Sequence, residues 1–240
     1  PWMYFYRNLV RLPEPEEPHL MYGSAVHDTL NHLFTKLRFT DDVGKEDMLA
    51  HFEKVIATFP WNGDDETRYR DRGLAALGGW YDVYAESWIT NTMTEFAIRG
   101  IKLTPDVTLV GTLDKIEFLS ESEVNVVDYK TGKPKSRNMI MGKTKTSDAR
   151  IYRQLVFYRL LLDQYKDGAY TMASAAVDFV EPDPQNGRYR KEQFTVPDED
   201  VEDLVETIKN MATDVLSLGF WDRRCDEADC PYCALRDELT

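Results

Sequence analysis

The sequence predicts an α/β (α+β) fold with a helical N-terminal region, and three observations carry that expectation. Apolar residues recur at helical spacing over the first ninety positions, the period changes to two near Glu95, and beyond Ala149 helical and strand patterns alternate. Val26, Leu30, Leu33, Phe34 and Leu37 predict a helix over 24–38, with Ser24 as its cap and His27 in its first turn. Two more helices are expected over 45–58 and 67–90, separated by the turn-rich Pro60-Trp61-Asn62-Gly63-Asp64-Asp65. Residues 95–104, 107–119 and 123–130 read as strands joined by short turns at Pro105-Asp106 and Ser120-Glu121-Ser122, an antiparallel meander. A polar loop to about Ser147 leads to a helix over 149–165. Strands at 172–180 and 188–196 and a helix over 198–218 complete the order.

With 240 residues and 42% hydrophobic content, the chain is expected to form a single domain. Its parts are a mainly helical segment (1–92), a catalytic sheet core (93–196), and a C-terminal helix with a cysteine segment (197–240). Met3 lies inside the aromatic run Trp2-Met3-Tyr4-Phe5-Tyr6, so the domain is expected to be excised from a larger protein. There is no run of ~18 apolar residues and no signal-peptide pattern, which predicts a cytoplasmic protein without a membrane partner. The three cysteines, Cys225, Cys230 and Cys233, fall within nine residues and point to metal ligation rather than a disulfide framework.

The formal net charge of −13 is unfavourable for a protein that meets nucleic acid. Its distribution is not uniform. Lys130, Lys133, Lys135, Arg137, Lys143, Lys145, Arg150 and Arg153 face one acid, Asp148, so this stretch carries +7 and the rest −20. It reads as a phosphate-facing track.

The chemistry concentrates in Gly111-Thr112-Leu113-Asp114 and Val127-Asp128-Tyr129-Lys130-Thr131-Gly132. Side chains alternate along a strand, so Asp128 and Lys130 project together while Tyr129 points away. If the preceding strand pairs alongside, Asp114 supplies a second carboxylate, and two hard oxygen donors beside a lysine suit Mg²⁺ and a phosphate. Gln154 and Tyr158 share a helical face near Arg150 and Arg153. Either they line a nucleic-acid cleft, or the helix simply packs Ile151, Leu155 and Leu162. His27 stands among small residues, Gly23 and Ala25, that allow close approach to a metal. His19, His32 and His51 read as structural.

Gly23-x3-His27, Gly111-x2-Asp114, Asp128-x-Lys130-Thr-Gly and Gln154-x3-Tyr158, in this order, resemble the PD-(D/E)XK nuclease superfamily and specifically its RecB-like branch. The resemblance covers most of the chain. It implies a restriction-endonuclease-like core with a mixed central sheet flanked by helices. His27, Asp114, Asp128 and the Tyr129 carbonyl would hold Mg²⁺ (or Mn²⁺), with Lys130 catalytic. Gln154 and Tyr158 would support the site, Lys133, Arg150 and Arg153 would contact DNA, and Glu95 would match an additional acidic position. The implied function is a metal-dependent deoxyribonuclease, an exonuclease of recombination and repair attached to a helicase domain or subunit. The competing classes are a catalytically silent DNA-gripping module and a cysteine-metal domain that docks a protein through its acidic surface. Some family members carry a four-cysteine [4Fe-4S] cluster whose first cysteine precedes a Pro-aromatic segment similar to Pro1-Trp2. Here Cys225 precedes the Cys230-x2-Cys233 pair, out of the usual order, which leaves the iron–sulfur cluster, Zn²⁺ or neither open.

Overall fold

In a computed structural model of the chain, residues 2–13, 17–40, 43–227 and 229–239 are described; Pro1 of the N-terminal segment lies outside them. Two compact units emerge, one formed by Glu17–Leu204 and the other by 1–16 with 205–240. Among the described residues there are eight α-helices and one five-stranded sheet.

The first unit begins with α2 (Pro18–Leu37), longer at its start than expected. Glu17 is the N-cap in extended conformation, and Pro18 opens the helix at a position where its missing N–H costs nothing. Ser24 is therefore an interior residue rather than a cap, and His27 stands in the third turn rather than the first. Helices α3 (Lys45–Ile56) and α4 (Asp65–Tyr84) follow; α4 ends in a 3₁₀ turn at Ala85–Ser87, short of the expected residue 90. Strands β1 (Thr92–Thr104), β2 (Val107–Phe118) and β3 (Glu123–Lys130) form the expected antiparallel meander. The polar loop contains a short helix, α5 (Arg137–Ile140), before α6 (Arg150–Gln164). Because that crossover is long, β4 (Thr171–Phe179) returns parallel to β3, and β5 (Arg190–Phe194) pairs antiparallel at the edge, giving the order β1-β2-β3-β4-β5. The sheet is mixed.

Alternation along β3 sorts the two faces. Val127 and Tyr129 join the core that α2, α3 and α4 make with Leu30, Phe34, Phe52 and Trp80. Asp128, one residue out of phase, accepts a hydrogen bond from Tyr158 of α6 on the opposite face. The sheet is thus covered on both sides, and its carboxylates emerge where β2 and β3 part.

Within the second unit, α1 (Trp2–Tyr4) continues as a π-helical turn over Phe5–Val10, and α8 (Pro231–Leu239) closes the chain; neither was expected, being too short for a periodic pattern. Trp2, Tyr6, Cys230 and Cys233 are buried together, and the Trp2 indole N–H donates to the Arg223 carbonyl. Helix α7 (Asp198–Leu216) was anticipated to within two residues. Among the described residues no helix is long and apolar enough to cross a membrane.

Candidate active site

The β2–β3 ladder runs from Phe118–Val124 to Lys115–Val127 and stops. Two residues further on, where β3 no longer pairs with β2, the Tyr129 N–H donates to Asp114 Oδ2 at 2.9 Å. A residue's N–H and C=O point to the same side of a strand, so the Tyr129 carbonyl faces the gap that Asp114 occupies.

The gap exists because the alternation of β1 and β2 inverts at Glu95 and Asp114. Thr94 bonds Asn31 of α2, whereas Phe96, two residues on, packs its ring against Tyr165 and Tyr170. Gly111 lies against Leu161 and Phe157 of α6, yet Lys115 reaches the opposite face, 3.6 Å above the Phe34 ring. Glu95 absorbs the inversion with φ of 46°, a left-handed conformation uncommon for a residue with a side chain and concentrated at functional sites. Gly111 is required by packing: a Cβ there would fall 2.5 Å from Leu161.

Glu95, Asp114 and His27 consequently converge, each offering a ligand atom, all within 4.8 Å of one another. His27 Nδ1 lies 3.5 Å from Asp114 Oδ2. Burial works against a charged His27, but the hydrogen bond and charge of Asp114, with Asp128 behind it, raise its pKa overall. Burial and the Asp114 charge raise that of Glu95. The three line a cavity of about 650 Å³ together with Ser24, Asn31 and Thr131. Gly23 stands at its wall, where a Cβ would lie 3.5 Å from the Thr131 hydroxyl.

Beside this set, four side chains close a ring. The Lys130 ammonium donates to Gln154 Oε1 at 2.8 Å, the Gln154 amide to the Tyr158 hydroxyl at 2.6 Å, and Tyr158 to Asp128 Oδ1 at 3.2 Å. Asp128 Oδ2 returns to Lys130, 2.7 Å away, as an ion pair lacking hydrogen-bond geometry. Asp128 is fully buried, and desolvation, reinforced by Asp114, pushes its pKa up to about 6 despite Lys130. Gln154 is thus turned toward the lysine, and the alternative of an exposed Gln154 on an ordinary packing helix does not describe this face.

Of the other expected residues, Lys133 and Arg153 are exposed, and Arg150 pairs with Asp148. His51 bonds Asp28 and stacks on His32, and His19 pairs with Glu17. One neighbour of the candidate site was not anticipated. Glu181, just after β4, accepts two-pronged hydrogen bonds from Arg72 of α4 and one from the Gly132 N–H, tying down the turn that follows Lys130. Gly132 takes φ of 96° there, which its missing Cβ permits. An acid at a strand end, like Asp128, was the available signal. In the second unit the three cysteine sulfurs lie within 4.8 Å of one another, with Cys225 and Cys233 3.5 Å apart, an arrangement that fits three corners of a tetrahedral metal or cluster site.

The donor chemistry on the first unit also fits a group: hard oxygens and one imidazole around a common point and a buried carboxylate oxygen without a hydrogen bond suit a divalent cation. Comparison with known families decides the lineage, since the pattern of the PD-(D/E)XK nuclease superfamily matches residues 1–237. The chain belongs to the PD-(D/E)XK nuclease superfamily. The mixed sheet flanked by helices is accordingly its restriction-endonuclease-like core, and membership supports a nuclease; divalent metals are typical of these enzymes. This PD-(D/E)XK chain also superimposes on a crystal structure from Eubacterium rectale named "Putative exonuclease". That match has a TM-score of 0.55 and 13% identity, covering 95% of this chain and 79% of that one, a likeness of fold alone. A second structure, SSO0001, aligns over 86% of this chain and 88% of its own at 15% identity, but its TM-score of 0.37 carries no argument. No curated protein matches the chain in sequence.

Proposed function

We propose that the chain is a Mg²⁺-dependent deoxyribonuclease of the RecB-like branch, acting as an exonuclease in recombination or repair beside a helicase domain or subunit. The single observation that carries the reading is the closed Lys130–Gln154–Tyr158–Asp128 ring set against the Glu95–Asp114–His27 donors. His27, Asp114, Asp128 and the Tyr129 carbonyl would hold the cation, with Glu95 joining them. The bound cation supplies charge neutralisation at the diester and a lower pKa for attacking water.

The protein's own part is positioning and a fixed positive charge. Gln154 holds the Lys130 ammonium at one end of the ring, so the charge faces the reacting phosphate without reorganising as negative charge develops. Tyr158 keeps Asp128 oriented by donating to Oδ1, which leaves Oδ2 for the cation and for Lys130. Arg72 and Glu181 fix the turn behind Lys130. Lys133, Arg150 and Arg153 are proposed to contact the DNA backbone. For the cysteines we propose a structural Zn²⁺ or iron–sulfur cluster that has no part in the reaction.

The test is incubation of labelled single- and double-stranded DNA with Mg²⁺ or with EDTA. Cleavage in Mg²⁺ alone, lost in Lys130→Ala, supports the reading. Binding without cleavage under every divalent metal would instead assign the silent DNA-gripping module. Iron and zinc analysis with absorbance near 400 nm decides the cysteine site.

A further inference from the structure

The polar loop between β3 and α6 folds around a second cavity, of about 540 Å³, whose lining includes Lys135, Lys145, Thr146, Asp148 and Arg150 beside the apolar Met139 and Ile151. It is separate from the cavity of the carboxylates, with which it shares no lining residue. Its charge balance is unusual for this molecule. The chain has 42 acids against 29 basic residues, so carboxylates to pair with are plentiful, yet only one lines this cavity. That one, Asp148, is already engaged by the Arg150 guanidinium at 2.8 Å and by the Arg150 N–H at 3.1 Å. Lys135 and Lys145 have no ion-pair partner among the described residues.

Two unpaired ammonium groups and a threonine hydroxyl around one opening call for an anion rich in acceptors. Position says which anion. Arg150 precedes Gln154 by four residues of α6, about 6 Å along the helix axis. Gln154 holds the lysine of the ring, so Arg150 at the wall of the cavity stands about one helical turn from the residue that positions that lysine.

We infer that this cavity is a phosphate-binding subsite, in which Lys135 and Lys145 take a backbone phosphate of the same strand whose neighbouring diester enters the carboxylate site. The inference rests on the nuclease reading and adds a second contact to it. The subsite anchors DNA while making no contact with the reacting group. It also gives the local +7 charge of the 130–153 stretch a task in a chain that otherwise repels DNA.

The test is fluorescence anisotropy of a labelled single-stranded oligonucleotide in EDTA, titrated with salt. A Lys135→Gln/Lys145→Gln variant is compared with Lys54→Gln/Lys166→Gln, which removes the same charge from exposed positions elsewhere. All these side chains are exposed, and matching thermal melts confirm that each variant folds. Loss of that phosphate contact should flatten the slope of log affinity against log salt by about 0.7, and weaken binding on the order of tenfold at low salt, in the first variant only. Equal weakening in both pairs would reduce the effect to net charge and overturn the subsite, as would no change in either. Cleavage of the same strand in Mg²⁺ is read separately. If cleavage is absent while the difference between the two variants persists, the nuclease reading fails and the phosphate subsite stands.

Discussion

The same strands carry two charged clusters, one in the core beneath the helices and one at the gap between β2 and β3, and the two are satisfied in different ways. Beneath the helices, Lys115 and Glu117 are almost fully buried, 1% and 4% exposed, and pair at 2.8 Å. Asn125 donates to Glu117, Ser174 donates to Asn125, and the Phe34 ring lies under the Lys115 ammonium. Every charge there finds its partner inside the protein. Where β2 and β3 part, three acids, Glu95, Asp114 and Asp128, face Lys130 and, from α2, His27, and Asp128 keeps a buried oxygen without a hydrogen bond. A closed cluster stabilises a structure; an open one leaves electrostatic energy that a cation can recover. Residues adjacent in sequence, Asp114 and Lys115, thus belong to a site and to a core.

The comparison can be broken most directly at the open cluster. Asp114→Asn and Asp128→Asn should each reduce Mg²⁺-dependent cleavage below detection while leaving the fold intact by circular dichroism; a protein still cutting DNA with both changes would move the site elsewhere. The closed cluster should respond in the opposite sense. Lys115→Met strands the Glu117 charge and should cost about 3–5 kcal/mol in urea melts, and a loss under 1 kcal/mol would show that the pair is not internally balanced. Lys130→Ala is expected to lower kcat by on the order of 10²- to 10³-fold, with oligonucleotide affinity within a few fold of wild type, because its role is confined to the transition state. Single-turnover cleavage and anisotropy check the two halves, and equal losses in both would make Lys130 a binding residue.

The smallest expected effect is a pair of opposite pH slopes, measured as urea stability in EDTA. Asp128 is held at about 6, mainly by burial, against an ordinary 3.8. The folded state therefore keeps a proton that the unfolded chain has lost, and stability from this group falls as pH rises from about 4 to 6. Lys115 is held at about 8, again mainly by burial, against 10.5. There the unfolded chain holds the extra proton, so stability rises from about pH 8 to 10.5. Each slope is worth on the order of 3 kcal/mol. Asp128→Asn should abolish the first and Lys115→Met the second; parallel slopes would contradict the distinction between the clusters.

Much of this was legible before the structure. Period-two patterning located β2 and β3 to within a residue and β1 except for its first three residues, and alternation put Asp128 and Lys130 on one face with Tyr129 in the core. The start of α2 was missed because Pro18 opens it without a side-chain cap, and the shortened α4 and β5 ended where local pattern yields to packing. Glu95 was visible only as a further acid. Nothing in one strand's spelling announces a left-handed residue, which depends on what the neighbouring strand and both covering helices require.

The sequence by itself determined the spacing of the candidate site residues and which face most of them take, since period and residue type act locally along the chain. Tertiary structure decided the rest: where the β2–β3 ladder stops, that Glu95 turns inward, that Gln154 spends its amide on Lys130, and that Lys115 is a core cation. These outcomes come from pairing across distant segments, where the need to satisfy each buried polar group selects among arrangements that are locally equivalent.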